Sequence, residues 1–167
     1  MAESLVKNTA KPASPAPAEK QLTEFISKFE PPIAKQIRAA SRVLRQLYPT
    51  ANELVYDNYN FFVIGYCATE RPSDCLFSIA ANSKGVGLSF YHGATLPDPH
   101  KILLGSGNQN RFIRLESIET LSRPEVKELM TAAVAQADPP LPSSGRGHLI
   151  IRSVAAKQKP RRLSAKR

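Results

Sequence analysis

The spacing of apolar residues changes from near 3.6 to 2 around Pro49, and this switch limits the fold more than any composition figure. Before it, Ile33, Ile37, Ala40, Leu44 and Leu47 recur at 4-3-4-3 intervals and line one face of a helix, with Pro32 in its first turn. Leu22, Phe25, Ile26 and Phe29 define a shorter helix that ends at Pro31-Pro32, because the residue before a proline avoids the helical region. After the switch, segments 53–59, 60–67 and 75–81 read as strands, and Val86, Leu88 and Phe90 alternate with Gly87, Ser89 and Tyr91. Asn58 to Asn60, Glu70-Arg71-Pro72-Ser73 and Asn82-Ser83-Lys84-Gly85 supply the turns. Ile113 and Leu115, alternating with Arg114 and Glu116, make a fifth strand beyond a long loop.

Ser122-Arg123-Pro124-Glu125 has the form of a capping box. It opens a helix over Val126, Leu129, Met130, Ala133, Val134 and Ala137, closed by Pro139-Pro140. Leu149 to Val154 is a candidate edge strand. Helices, consecutive strands with short turns, then a helix predict an α+β fold. We expect an antiparallel sheet of about five or six strands, with two N-terminal helices and one C-terminal helix packed on it.

The net charge of +9 over 167 residues is unevenly placed. Residues 21–144 hold twelve basic and twelve acidic side chains, whereas Arg146, Arg152, Lys157, Lys159, Arg161, Arg162, Lys166 and Arg167 follow with no acid among them. Composition therefore divides the chain into a disordered arm over 1–20, a domain over 21–142 and a basic tail over 143–167. The longest strongly apolar run, Phe61 to Ala68, is far short of the ~18–20 residues of a membrane span. Met1 to Lys20 lacks the apolar stretch of a signal peptide, so a cytoplasmic protein with reduced thiols is expected. Cys67 and Cys75 flank a turn at positions that antiparallel pairing can bring opposite each other; they read as small buried hydrophobes or as a regulatory disulfide.

The long loop carries the most distinctive residues: Gly93-Ala94-Thr95-Leu96-Pro97-Asp98-Pro99, then Leu103-Leu104-Gly105-Ser106-Gly107, then Arg111 and Arg114-Leu115. With Tyr48-Pro49 and Glu53-Leu54-Val55-Tyr56-Asp57-Asn58-Tyr59, this pattern resembles the YdhG-like family, a bacterial domain of unknown function, over about residues 22–140. The chain has no tryptophan, and so departs from the commoner form of the segment before the first hairpin. The resemblance implies a frataxin-like sandwich and, from relatives described as iron chaperones, iron handling. Frataxin-type iron binding uses clustered surface carboxylates. The core here is neutral and its first helices, as read, carry only Glu24 and Glu30, so weak iron binding and no resident cofactor are expected.

Four groups of residues are candidates for chemistry. Gly93, Asp98, Gly105, Gly107 and Arg111 can cradle a small anion, through backbone amides and an arginine fork. The same residues also suit a tight loop that Arg111 holds together by pairing with Asp98, and on either reading the two charged side chains are expected to be coupled. His92, Asp98 and His100 are the one set with metal-ligand character, though their spacing matches no established metal motif. Lys35, Arg38, Arg42 and Arg45 form an uninterrupted basic stripe opposite the apolar face of the second helix, suited to an acidic protein partner, to phosphate backbone or simply to solvation. With Lys157, Lys159, Arg161 and Arg162 of the tail, the stripe makes sequence-indifferent nucleic-acid binding the alternative function.

No Gly-x-Ser-x-Gly elbow follows a strand, and nothing sets a separation between paired carboxylates. The sequence thus predicts a non-enzymatic binding domain whose small ligand sits at the 93–111 loop.

Overall fold

The computed structural model describes residues 17–163; residues 1–16 of the expected 1–20 arm and the last basic residues, Lys166 and Arg167, lie outside it. Helix α1 spans Pro17–Ile26, α2 spans Pro31–Leu47 and α3 spans Pro124–Ala135. Each has a proline at its first position, where the preset φ favours a helical start and the missing N–H costs no bond. Helix α1 begins at Pro17, inside the segment expected to be an arm, and so brings Glu19 onto a helix. Its Leu22, Phe25 and Ile26 are buried, as are Ala34, Ile37, Ala40 and Leu44 of α2. Leu47, read as the end of the α2 stripe, is 49% exposed.

The strands are β1 (Asn52–Asp57), β2 (Phe62–Cys67), β3 (Cys75–Asn82), β4 (Gly85–Phe90), β5 (Arg111–Arg114) and β6 (Leu149–Val154). They form one six-stranded sheet in the order β5-β4-β3-β2-β1-β6. Pairing is antiparallel from β1 to β5, but β6 runs parallel to β1. The expected α+β architecture, with two N-terminal helices, one C-terminal helix and a mostly antiparallel sheet, is present; the edge strand β6 alone among the six departs from it and makes the sheet mixed. The cause is the point of entry. The returning chain meets β1 at its start, where Gly147 N donates to Pro49 O (2.9 Å) and Glu53 N to His148 O (2.8 Å).

The expected capping box does not form. Ser122 ends a 3-10 turn over Ile118–Ser122, and Arg123 takes the cap position with no side-chain cap bond. Arg123 precedes Pro124 and is held extended at φ −68° and ψ 135°. Glu125 instead accepts from Arg123 Nε at 3.0 Å.

The main core joins the three helices to Phe62, Ile64, Tyr66, Phe77, Ile79, Leu88 and Phe90 of the central strands. Leu54, Cys67 and Cys75 make a smaller cluster with Tyr56 and Ile150. No helix among the described residues is long and apolar enough to cross a membrane.

The described part of the basic tail lies on the domain. Ala155 N donates to Asp57 O and Lys159 N to Tyr59 O, both at 2.9 Å. Arg161 is then buried beside Asp57. A buried carboxylate requires a cation, and the tail supplies one.

Candidate functional site

Arg38, Arg42 and Arg45 lie four and three residues apart on α2 and, with Ser41 beside Arg42, share one face. With α1, Pro49 and Arg146 they line a groove of about 550 Å³. Leu22 and Ile26 of α1, with Pro49, give it an apolar wall, and the guanidinium groups give it a cationic one. Lys35, part of the stripe read from the sequence, does not line it.

Arg146 is the member that sequence reasoning missed. It was counted as one charge of a tail, yet the chain around it is fixed by close backbone approach. A Cβ on Gly147 would fall 1.8 Å from Ala51 O, so only glycine lets this segment lie against the start of β1. Gly145 adopts φ +90°, which also favours glycine. The Gly-Arg-Gly triplet was the available signal.

Arg45 is the anchored member. It bonds Glu53 Oε1 through Nη2 at 2.7 Å and Nε at 2.9 Å, and Glu19 Oε2 at 3.1 Å. Burial opposes its charge, but the bond it donates to Glu53 and the fields of Glu53 and Glu19 outweigh it and hold the guanidinium above its ordinary pKa. Among the described residues, no carboxylate lies within 4 Å of Arg38, Arg42 or Arg146. Behind Arg45, Glu53 Oε2 and the Tyr66 hydroxyl are buried without a hydrogen-bond partner among the described residues. Burial, then the neighbouring Glu53, pushes the Tyr66 phenol well above its usual value.

The 93–111 loop is engaged with itself. Asp98 accepts from Ile102 N and Leu103 N, each at 3.0 Å, and does not pair with Arg111. Arg111 Nη1 donates to the carbonyls of Gly107 (2.6 Å) and Asn110 (2.8 Å). An anion cradle would turn backbone amides inward, whereas here carbonyls face the arginine. Gly93 serves close packing, since a Cβ there would fall 2.6 Å from Arg111 Cβ, and Gly105 takes φ +108°.

The metal-ligand set is not brought together. His92 Nε2 lies 3.3 Å from Ser73 O, His100 Nε2 lies 3.5 Å from Glu128 Oε1, and both Asp98 oxygens are taken by amides. Among the described residues, no group of three His, Cys, Asp or Glu is arranged to hold a metal ion.

In the tail, Arg161 Nη2 bonds Asp57 Oδ1 and Asn58 O at 2.8 and 2.7 Å. Arg162 Nε bonds Lys28 O at 3.1 Å, and Lys159 Nζ sits 5.8 Å above the Tyr59 ring. Lys157 is exposed.

No family model matches the chain, and no curated protein or solved structure is significantly similar to it.

Proposed function

We propose that this chain is a non-enzymatic binding domain of YdhG-like type whose ligand is a small phosphorylated molecule, held in the groove between α1 and α2. The observation that carries the reading is a charge imbalance in a concave site. Four guanidinium groups face Glu19 and the buried Glu53, both already bonded to Arg45, which leaves Arg38, Arg42 and Arg146 for a ligand. Guanidinium forks match phosphate oxygens bidentately. A groove of about 550 Å³ suits a small molecule, and its apolar wall suits a non-phosphate portion.

This moves the small anion expected at the 93–111 loop to a site where arginines are not consumed by carbonyls. The alternative, phosphate backbone of a nucleic acid, has less support. Arg161 and Arg162 bond the domain itself, so the tail offers fewer cations than its composition implies.

Calorimetric titration with pyrophosphate and with a nucleoside diphosphate tests the reading. Binding should appear with the wild-type chain and fall at least about tenfold in Arg42→Ala and in Arg146→Ala, each loss being of the size of one charge-assisted contact. Unchanged affinity in both variants, or tighter binding of duplex DNA than of either phosphate, would reject it.

A further inference from the structure

We propose that Cys67 and Cys75 are a dithiol modification site, which a hydroperoxide closes into a disulfide between β2 and β3. The site is independent of the arginine groove. In the β2–β3 ladder Cys67 stands opposite Cys75, and a bulge between Tyr66 and Cys67 creates that register. Opposed residues in an antiparallel pair have Cα atoms about 4.5–5.5 Å apart, within the roughly 4.4–6.8 Å that a disulfide spans.

Gly65 shows that the two sulfurs converge. A Cβ placed there would fall 2.9 Å from Cys75 Sγ and 3.6 Å from Cys67 Sγ, so both crowd the space above one glycine. Both cysteines are free thiols in the small cluster with Leu54, which gives them no other partner of their own kind.

The pair is chemically asymmetric. A hydrogen bond from Cys67 lowers the Cys75 pKa against the cost of burial, and Ser78, whose Oγ lies 3.4 Å from Sγ, adds to the effect. The same bond, then burial, pushes the Cys67 thiol up. Cys75 is also the less buried of the two residues, which makes its sulfur the one that a peroxide reaches and that attacks. Cys75 also borders a cavity of about 300 Å³ with His92, Thr95 and Gln136, and is 7% exposed where Cys67 is closed.

The reaction balances with one hydrogen peroxide as oxidant; an organic hydroperoxide would release its alcohol in place of the first water. Cys75 thiolate attacks one peroxide oxygen and the O–O bond breaks; the departing hydroxide takes a proton and leaves as water. The Cys75 sulfenic acid is then attacked by Cys67, the S–S bond forms, and a second water leaves with the Cys67 proton. Two thiols lose two electrons and two protons, and the peroxide is reduced to two waters.

The full chain is exposed to hydrogen peroxide, unfolded in iodoacetamide and weighed intact. The expected product is a monomer lighter by two hydrogens, with neither cysteine alkylated, and dithiothreitol restores both alkylation sites. In Cys67→Ser, dimedone should trap a sulfenic acid on Cys75. The wild-type measurement needs no substitution and so does not depend on that variant folding. Two cysteines that remain alkylatable after peroxide, or a disulfide found only between chains, would overturn the proposal.

Discussion

Arg161 Nη2 donates to Asp57 Oδ1 across 2.8 Å, with 3% and 0% of the two side chains open to solvent, although 104 residues separate them. The other Asp57 oxygen receives Lys28 Nζ at 2.7 Å, so one carboxylate ties the turn between α1 and α2, the β1–β2 hairpin and the C-terminal segment together. The Arg161 guanidinium also lies 5.8 Å from the Phe29 ring centroid. Arg161→Ala should cost about 3–5 kcal/mol in urea unfolding, because it leaves a buried carboxylate short of a partner. Asp57→Asn combined with Arg161→Met should recover part of the loss, since it removes both charges. If Arg161→Ala matched wild type, the C-terminal segment would not be docked in solution.

The same carboxylate predicts an acid limit to stability. Burial alone would raise the Asp57 pKa, but bonds from Lys28, Arg161 and Gln158 outweigh it and hold it below the ordinary value of 3.8. A depressed folded pKa means that the unfolded chain binds the proton more tightly. The contribution is thus complete well above pH 3.8 and is lost as pH falls through the lower folded value. Unfolding free energy followed downward from pH 6 should fall more steeply in wild type than in Asp57→Asn. Parallel curves would remove Asp57 from the account.

Much of the fold was legible because periodicity reports which face of an element is buried. The α2 face through Ile33, Ile37, Ala40 and Leu44 and the alternation of Val86, Leu88 and Phe90 are such signals, and both reach the core. The parallel placement of β6 was not legible, since six residues of strand sequence carry no record of the direction in which they pair. The docking of Arg161 was hidden for a related reason: composition shows a cation but not the buried Asp57 that receives it. At the candidate site, helical spacing found Arg38, Arg42 and Arg45. Arg146 enters through a backbone approach; its flanking glycines hint at a close contact but do not name Ala51 as the backbone approached.

Adjacent residues on that approach should behave in opposite ways. Arg146 is exposed and makes no ion pair among the described residues, so Arg146→Ala should change stability by no more than about 0.5 kcal/mol while weakening phosphate binding. Gly147→Ala sets a Cβ against Ala51 O and must displace the bond from Gly147 N to Pro49 O. Its loss of stability should be well above the ~1 kcal/mol centre of point substitutions, as β6 loses its entry to the sheet. Thermal unfolding of the two variants side by side decides it. Equal midpoints would mean that the segment is not held at Gly147.

The signature loop gives a prediction that reverses the ion pair expected from its sequence. Asp98 holds the amides of Ile102 and Leu103, and Arg111 holds the carbonyls of Gly107 and Asn110, so the two charged side chains have no partner in common. Asp98→Ala leaves two part-buried N–H groups without an acceptor and should cost about 1–3 kcal/mol. Arg111→Ala gives up bonds to exposed carbonyls that water can replace, so its cost should stay near the ~0.5–1.5 kcal/mol of an ordinary hydrogen bond. Substitutions without shared partners add to within about 0.5 kcal/mol. The double variant should therefore lose the sum of the two single losses in urea unfolding. A coupling clearly above that margin would show that Asp98 and Arg111 do act on each other, and would return the loop to the ion-paired arrangement.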